Sequence, residues 1–271
     1  SLVAALQAGE VDFVSPALAD IPYQDRERLM SLNQITTNYA DPITNEMTFF
    51  NTHNIPDERI RRAIVEAIDR ETIVASLLPE SGATGDGFIP KSDKNFYDAE
   101  AMQTISYDPQ DARALLAEAG YDGRALEWYV NSGDSVLVNA VQIAQQNLAA
   151  VGVKVNINTV DFDTLTGTIA GSDQYDLFSV QYTITPIDYY ADVNSLANMV
   201  MGQEAGSRRS WTGDFHDEQL DEVLTLTQTA DEAELKQLYT QMQNIVVQKA
   251  PMFSLYFLGN AGIVSKRLAN A

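Results

Sequence analysis

The chain has 271 residues, and 17 Lys+Arg against 38 Asp+Glu give it a formal net charge of −21. That charge argues against nucleic acid or an anionic lipid surface as a partner, because both are held by basic footprints. Apolar residues make up 45%, enough to build a core and exclude a disordered chain, and the absence of Cys excludes disulfides, Cys-ligated zinc and a thiol nucleophile.

No stretch reaches the ~18–20 apolar residues of a membrane helix. Ser1-Leu2-Val3 opens directly on an amphipathic pattern, without a basic start, a small-residue cleavage site or an initiator Met. The expectation is a processed or truncated piece whose targeting segment lies upstream. Leu2, Val3, Ala5 and Leu6 give a partial helical face closed by Gly9, and Val11 to Val14 reads as a strand. Residues 22–31 read as a short solvated helix. Asn33 to Tyr39 and Met47 to Asn51 read as strands around an Asp41-Pro42 turn.

Ile60, Ala63, Ile64, Ala67 and Ile68 form one stripe of a 3.6-residue period, opened by Pro56 and Asp57. Asp69 starts a second helix to about Leu78. Residues 79–106 read as a long loop, a kind of segment that often carries function. Asp108-Pro109 opens a helix that Gly120 ends, Leu126 to Val130 is a strand, and Ser135 to Val151 is a helix stopped by Gly152. Val153 to Thr159 alternates as a strand, Asp161 caps a short helix to Gly171, and Tyr175 to Tyr182 is a strand. A polar, aromatic region follows to about Thr212. Helices over 217–229 and 232–248 and a strand from Met252 to Leu258 close the chain. Strands alternating with helices mean an α/β architecture, and no internal repeat or linker divides it.

No Walker loop and no Gly-x-Ser-x-Gly elbow is present. His53 and His216 lack ligand-spaced partners, so no metal site and no cofactor is expected. Asp57, Asp69, Asp108, Asp161, Asp214, Asp217 and Asp231 stand where helices start, which gives them a capping role and leaves no acid assigned to catalysis. What remains is Tyr182-Thr183-Ile184-Thr185-Pro186-Ile187-Asp188-Tyr189-Tyr190 beyond a strand C-terminus, with Trp211 further on. Ligands of open α/β sheets bind in the crevice beyond strand C-termini, and Tyr and Trp suit a small polar molecule.

Several segments together resemble a family. Phe49-Phe50-Asn51-Thr52, Pro56 to Ile64 and Ala67-Ile68-Asp69-Arg70-Glu71-Thr72 resemble the signature of family 5 extracellular solute-binding proteins of ABC importers, the oligopeptide-, dipeptide- and nickel-binding type. Tyr107 to Ala112, Leu115 to Tyr121, Gln145 to Leu148 with Val151 to Val155, Gln219-Leu220-Asp221, and Leu238-Tyr239 through Pro251-Met252 match further segments in order. Even Ala8 to Phe13 fits the segment just upstream.

The resemblance implies a periplasmic-binding-protein-like fold (type II, family 5): a C-terminal α/β lobe plus a partial segment of the other lobe. Residues 1–51 would belong to the N-terminal lobe, 52–250 to the C-terminal lobe, and 251–271 would be the return strand and tail, with hinge crossings near Asn51 and Met252–Tyr256. It implies a binding protein rather than an enzyme, closing two lobes on a small solute for a membrane permease. The solute expected is a peptide, with an oligosaccharide as the alternative. The expected setting is the outer face of the cytoplasmic membrane or the periplasm, as a monomeric lipoprotein that binds no nucleic acid. A solute-sensing domain of a transcription regulator is a further alternative.

Peptide-binding members of the family carry a Trp-x-x-Asp motif whose Asp holds the peptide ammonium. Here Tyr182 and Thr185 stand at those two positions, and a neutral hydroxyl cannot give a charge-assisted bond. The candidate ligand-binding residues are therefore Tyr182, Thr183, Thr185, Asp188, Tyr189, Trp211 and Asn51.

Overall fold

The computed structural model describes residues 2–14, 23–183, 195, 200, 211–213 and 215–268. The small first unit holds helices α1 (Leu2–Ala8) and α2 (Tyr23–Met30) and strands β1 (Phe13–Val14) and β2 (Ile35–Tyr39). The main body begins with β3 (Thr44–Phe50), α3 (Glu58–Glu66), α4 (Arg70–Leu77), β4 (Gly82–Ala83) and α5 (Pro109–Glu118). It continues through β5 (Ala125–Asn131), α6 (Ser135–Ala150), β6 (Lys154–Val160), α7 (Phe162–Gly171) and β7 (Leu177–Thr183). Helices α8 (Glu218–Thr227) and α9 (Glu232–Lys249) lead into β8 (Met252–Leu258), and β9 (Ala261–Ser265) returns to the first unit.

The helix starts follow from their acids. Asp57, Asp69, Asp108, Asp161, Asp217 and Asp231 each accept a backbone N–H of the first turn, satisfying donors the helix itself cannot. Asp134 caps α6 in the same way through Leu137 N, one position before the expected start. Asp214 lies outside the described residues.

Six strands form one sheet in the order β4-β8-β3-β7-β5-β6. β5, β6 and β7 run parallel, and β3 runs antiparallel between β7 and β8. β3 and β8 are buried along their whole length, because helices cover both faces. Ile64, Ile73, Leu116, Ala144 and Leu148 from α3 to α6 pack one face around Trp128 and Phe253. Leu165, Leu220, Tyr239 and Met242 from α7 to α9 pack the other around Phe49 and Phe178.

The segment 79–106 holds the short β4 and is otherwise irregular, but it is fixed to the sheet. Gly85 to Pro90 are buried. The buried Arg70 guanidinium donates to Asp86 Oδ1 (2.7 Å) and to the carbonyls of Gly85, Ile105 and Ser254. Asn45 donates to Gly87 O (3.0 Å), and Gln243 Oε1 accepts from Ile89 N (3.1 Å).

A second sheet, β1-β9-β2, packs with Val3, Leu6 and Leu29 as a separate small core. The change from one sheet to the other differs from the sequence expectation. Residues 44–50 and 252–258 were expected in the other lobe or its crossings, yet they form central strands of the large sheet. The physical reason is their all-apolar or buried-polar pattern, which suits a strand covered on both faces. The chain passes between the sheets at residues 40–43 and 259–260 instead, where Ala40 N donates to Asn260 O (3.0 Å). Gly259 permits this close passage: a Cβ there would lie 2.1 Å from Ala40 O.

Candidate functional site

Strands β5 to β8 all end at the edge of the large sheet where β3 begins. Thr44 is in register with Thr183 on one side and Leu258 on the other. Helices α6 and α7 start at this same edge, directly after β5 and β6. The crossing at 259–260 leaves from it as well. A cavity of about 490 Å³ opens there, with Asn131, Asp134, Phe162, Gln181, Thr183 and Asn260 in its lining. This is where an open sheet with parallel strands binds ligands.

The lining mixes polar groups with apolar ones such as Leu78, Leu137 and Leu258, and polar side chains at the strand ends are held in place. Thr44 Oγ1 and Thr183 Oγ1 share a hydrogen bond of 2.9 Å, and Asn260 Nδ2 donates to Thr44 Oγ1 (3.4 Å). Phe162, the first residue of α7, is 51% exposed beside these groups and offers a flat apolar surface. Glu46 and Tyr256 also line the cavity, side by side on adjacent strands, and both are buried. Burial pushes the Glu46 carboxyl well above its ordinary range, and the Asp134 charge adds to the rise, while the Gln181 side chain acts in the opposite direction. Burial, then Glu46 and Asp134, raise the Tyr256 hydroxyl as well.

A larger cavity of about 630 Å³ lies beside Arg70, Asp86 and Lys91. Its one buried cation is already engaged by Asp86 and three carbonyls, so it serves to pin the 79–106 segment. Among the described residues no group of three or more His, Asp or Glu is placed to hold a metal ion, and no helix is long and apolar enough to cross a membrane.

The family model for bacterial extracellular solute-binding proteins, family 5 Middle, matches residues 1–201. The chain belongs to this family. It is a family of binding proteins, and the fold is that of its solved members. The glutathione-binding protein GsiB of Salmonella typhimurium is 26% identical over 260 residues, covering 93% of this chain and 49% of that protein. The ABC transporter substrate-binding protein CtaP of Listeria monocytogenes superposes with a TM-score of 0.82 at 20% identity, over 100% of this chain and 54% of that one. The oligopeptide-binding protein AppA of Bacillus subtilis, solved with a nonapeptide, gives 0.77 at 19% identity over 100% and 55%. The chain thus spans about half the length of the relatives it matches.

In this family 5 chain, the residues selected from sequence do not all meet. Thr183 lines the cavity, and Tyr182 stands next to it, half-buried against the α7–α9 side of the sheet. Asn51 lies past the other end of β3, roughly 20 Å away at ~3.3 Å per residue. Its side chain is buried: Nδ2 donates to Tyr175 O (3.1 Å) and Oδ1 accepts from His53 N (3.2 Å), so it acts as a structural clip. Trp211 also packs away from the cavity, edge-on to Phe49 (5.2 Å) and Phe178 (5.8 Å). Thr185, Asp188 and Tyr189 lie outside the described residues.

Sequence reasoning missed Glu46, Asp134 and Phe162. Phe162 had a visible signal, since Asp161 caps a helix whose first side chain must face the strand ends. Glu46 had a fainter one, as the acid in the otherwise uncharged strand Thr-Asn-Glu-Met-Thr-Phe-Phe.

Proposed function

We propose that the chain is the C-terminal portion of the solute-binding component of an ABC importer, which holds a peptide between two lobes for delivery to a membrane permease. In this reading the large sheet with its helices is one lobe. The small sheet is part of the other, and the paired crossings at 40–43 and 259–260 are the hinge. The solute lies at the strand-end cavity, with Thr183 among its contacts. The protein works outside the cytoplasmic membrane and makes or breaks no bond.

The observation that carries the reading is the family match over residues 1–201, joined to a partly polar cavity at the strand ends from which the hinge crossings leave. The named ligands of the relatives, glutathione and a nonapeptide, favour peptide as the class. Thr185 in place of a carboxylate keeps an oligosaccharide as the second reading, because that position offers no charge to a peptide ammonium.

The test is calorimetric titration of the full-length protein with glutathione, di- to pentapeptides and oligosaccharides, with small-angle scattering to follow closure. One solute class is expected to bind and to reduce the radius of gyration. Release of any product from these solutes, or full affinity in the large-sheet lobe alone, overturns the clamp reading.

A further inference from the structure

The floor of the strand-end cavity contains an acid that the fold leaves unsatisfied. Glu46 has no exposed surface, and neither of its carboxyl oxygens makes a hydrogen bond of normal geometry among the described residues, with only the Gln181 side chain near enough to favour its charged form. Tyr256 is directly opposite in the strand register, is equally buried, and its hydroxyl is likewise without a partner. Buried polar groups are almost always paired, and leaving one unpaired costs about 1–3 kcal/mol, more for a charge. Two such groups on neighbouring strands, both lining one cavity, call for a ligand atom between them.

The geometry points to a subsite in which Glu46 and Tyr256 receive a cationic group of the solute, an ammonium or a guanidinium. This rests on the solute-binding reading and names the chemistry of one end of the ligand. Three features select a cation. A carboxylate and a phenol oxygen both accept hydrogen bonds from such a group. Asp134, capping α6 on the cavity wall, adds a second negative charge near Glu46. Among the described residues of the lining there is no basic side chain. The way in passes Gln181, which is exposed and in register with Glu46 on its other side, so its side chain turns aside as the cation enters.

The subsite couples binding to a proton. In the unliganded cavity burial, and then Asp134, raise the Glu46 carboxyl and so favour its protonated form. An arriving cation favours the charged carboxylate, and that proton leaves to solvent. Asp134 and Tyr256 are the titratable groups facing Glu46 from the neighbouring elements, and Tyr256 stays neutral throughout because its hydroxyl is raised as well.

The experiment is calorimetry on the full-length protein at pH 6 in two buffers of different ionisation heat. The probes are the tripeptides Ala-Arg-Ala and Ala-citrulline-Ala, whose side chains match in shape but not in charge. The arginine peptide is expected to bind at least tenfold tighter and to release up to one proton, with both effects abolished in Glu46→Gln. Equal affinities, or no proton release, overturn the subsite and leave the solute-binding reading intact. Both of these readouts use the unsubstituted protein, so they decide the matter even if Glu46→Gln does not fold. If neither tripeptide binds, agmatine decides: a saturable rise in unfolding temperature lost in Glu46→Gln upholds the subsite while the peptide reading falls, and no rise overturns the subsite.

Discussion

Arg61 should matter more to stability than its place in a charged helix suggests. Its side chain is 3% exposed and, among the described residues, has no carboxylate bonded to it. Instead Nε donates to Ala250 O (3.0 Å), Nη1 to Ile55 O and Pro56 O (both 2.8 Å), and Nη2 to Lys249 O (2.6 Å). It thereby caps the C-terminus of α9, where Ala250 turns left-handed (φ 45°), and ties it to the start of α3. Burial lowers the Arg61 pKa to about 10, so it remains charged at neutral pH. In Arg61→Met the bonds to Ala250 O and Ile55 O are lost in a buried setting, at ~1–3 kcal/mol each, while the two outer carbonyls can turn to water. The helix end also loses a favourable cation, so the expected loss is about 3–5 kcal/mol. With an m-value near ~3 kcal/mol/M, the urea midpoint followed by circular dichroism should fall by about 1–2 M. A loss under ~1 kcal/mol would refute the idea that this guanidinium closes the helix.

A raised carboxyl makes the Glu46→Gln comparison depend on pH. The folded state keeps the Glu46 proton above the ordinary value of ~4.3, so its contribution is fully present below that pH and is lost as pH rises. Urea unfolding from pH 4 to 8 should show wild type losing up to ~1.4 kcal/mol per pH unit relative to Glu46→Gln until the carboxyl ionises, and parallel profiles would refute it. Gly259→Val should cost roughly 3 kcal/mol and speed hydrogen exchange at Ala40 and Asn260, since the blocking atom is backbone; unchanged exchange would count against a tight crossing. Leu148→Ala, fully buried between α6 and the sheet, should lose ~2–5 kcal/mol in denaturant without changing solute affinity, whereas Thr183→Ala should do the reverse in titration of the full-length protein.

The fold was legible because its signals are local. Six of the expected Asp caps sit at helix starts, and Gly120 and Gly152 take positive φ where helices were expected to stop. The family could be read for the same reason, since its motifs are largely caps and core stripes. The candidate site was less legible. Thr183 lines the strand-end cavity and Tyr182 lies beside it on the opposite face of the sheet, but Asn51 and Trp211 sit at the far end of the sheet. Their residue types fit a binding site, and only strand direction tells the two ends apart. β3 runs opposite to β7, so the Phe-Phe-Asn end of one strand meets the beginning of the other.

Glu46 shows the limit most sharply. A lone acid in a seven-residue strand reads as the polar face of a half-exposed ribbon. Its burial comes from two partners far away in sequence, Gln181 on one side and Tyr256 on the other. The pairing with β8 also shifts register between Glu46 and Met47, and past that point Ser254 rather than Leu255 faces Met47. A slip of one residue would turn Glu46 to the opposite face of the sheet, among Phe49 and Phe178, with no cavity in front of it. The chemistry of the cavity floor is thus a property of the register, and register in a central strand is fixed by the helices packed on both of its faces. That is why a substitution in those helices which leaves every cavity residue in place can still be expected to alter what the cavity binds, provided it loosens the β3–β8 pairing.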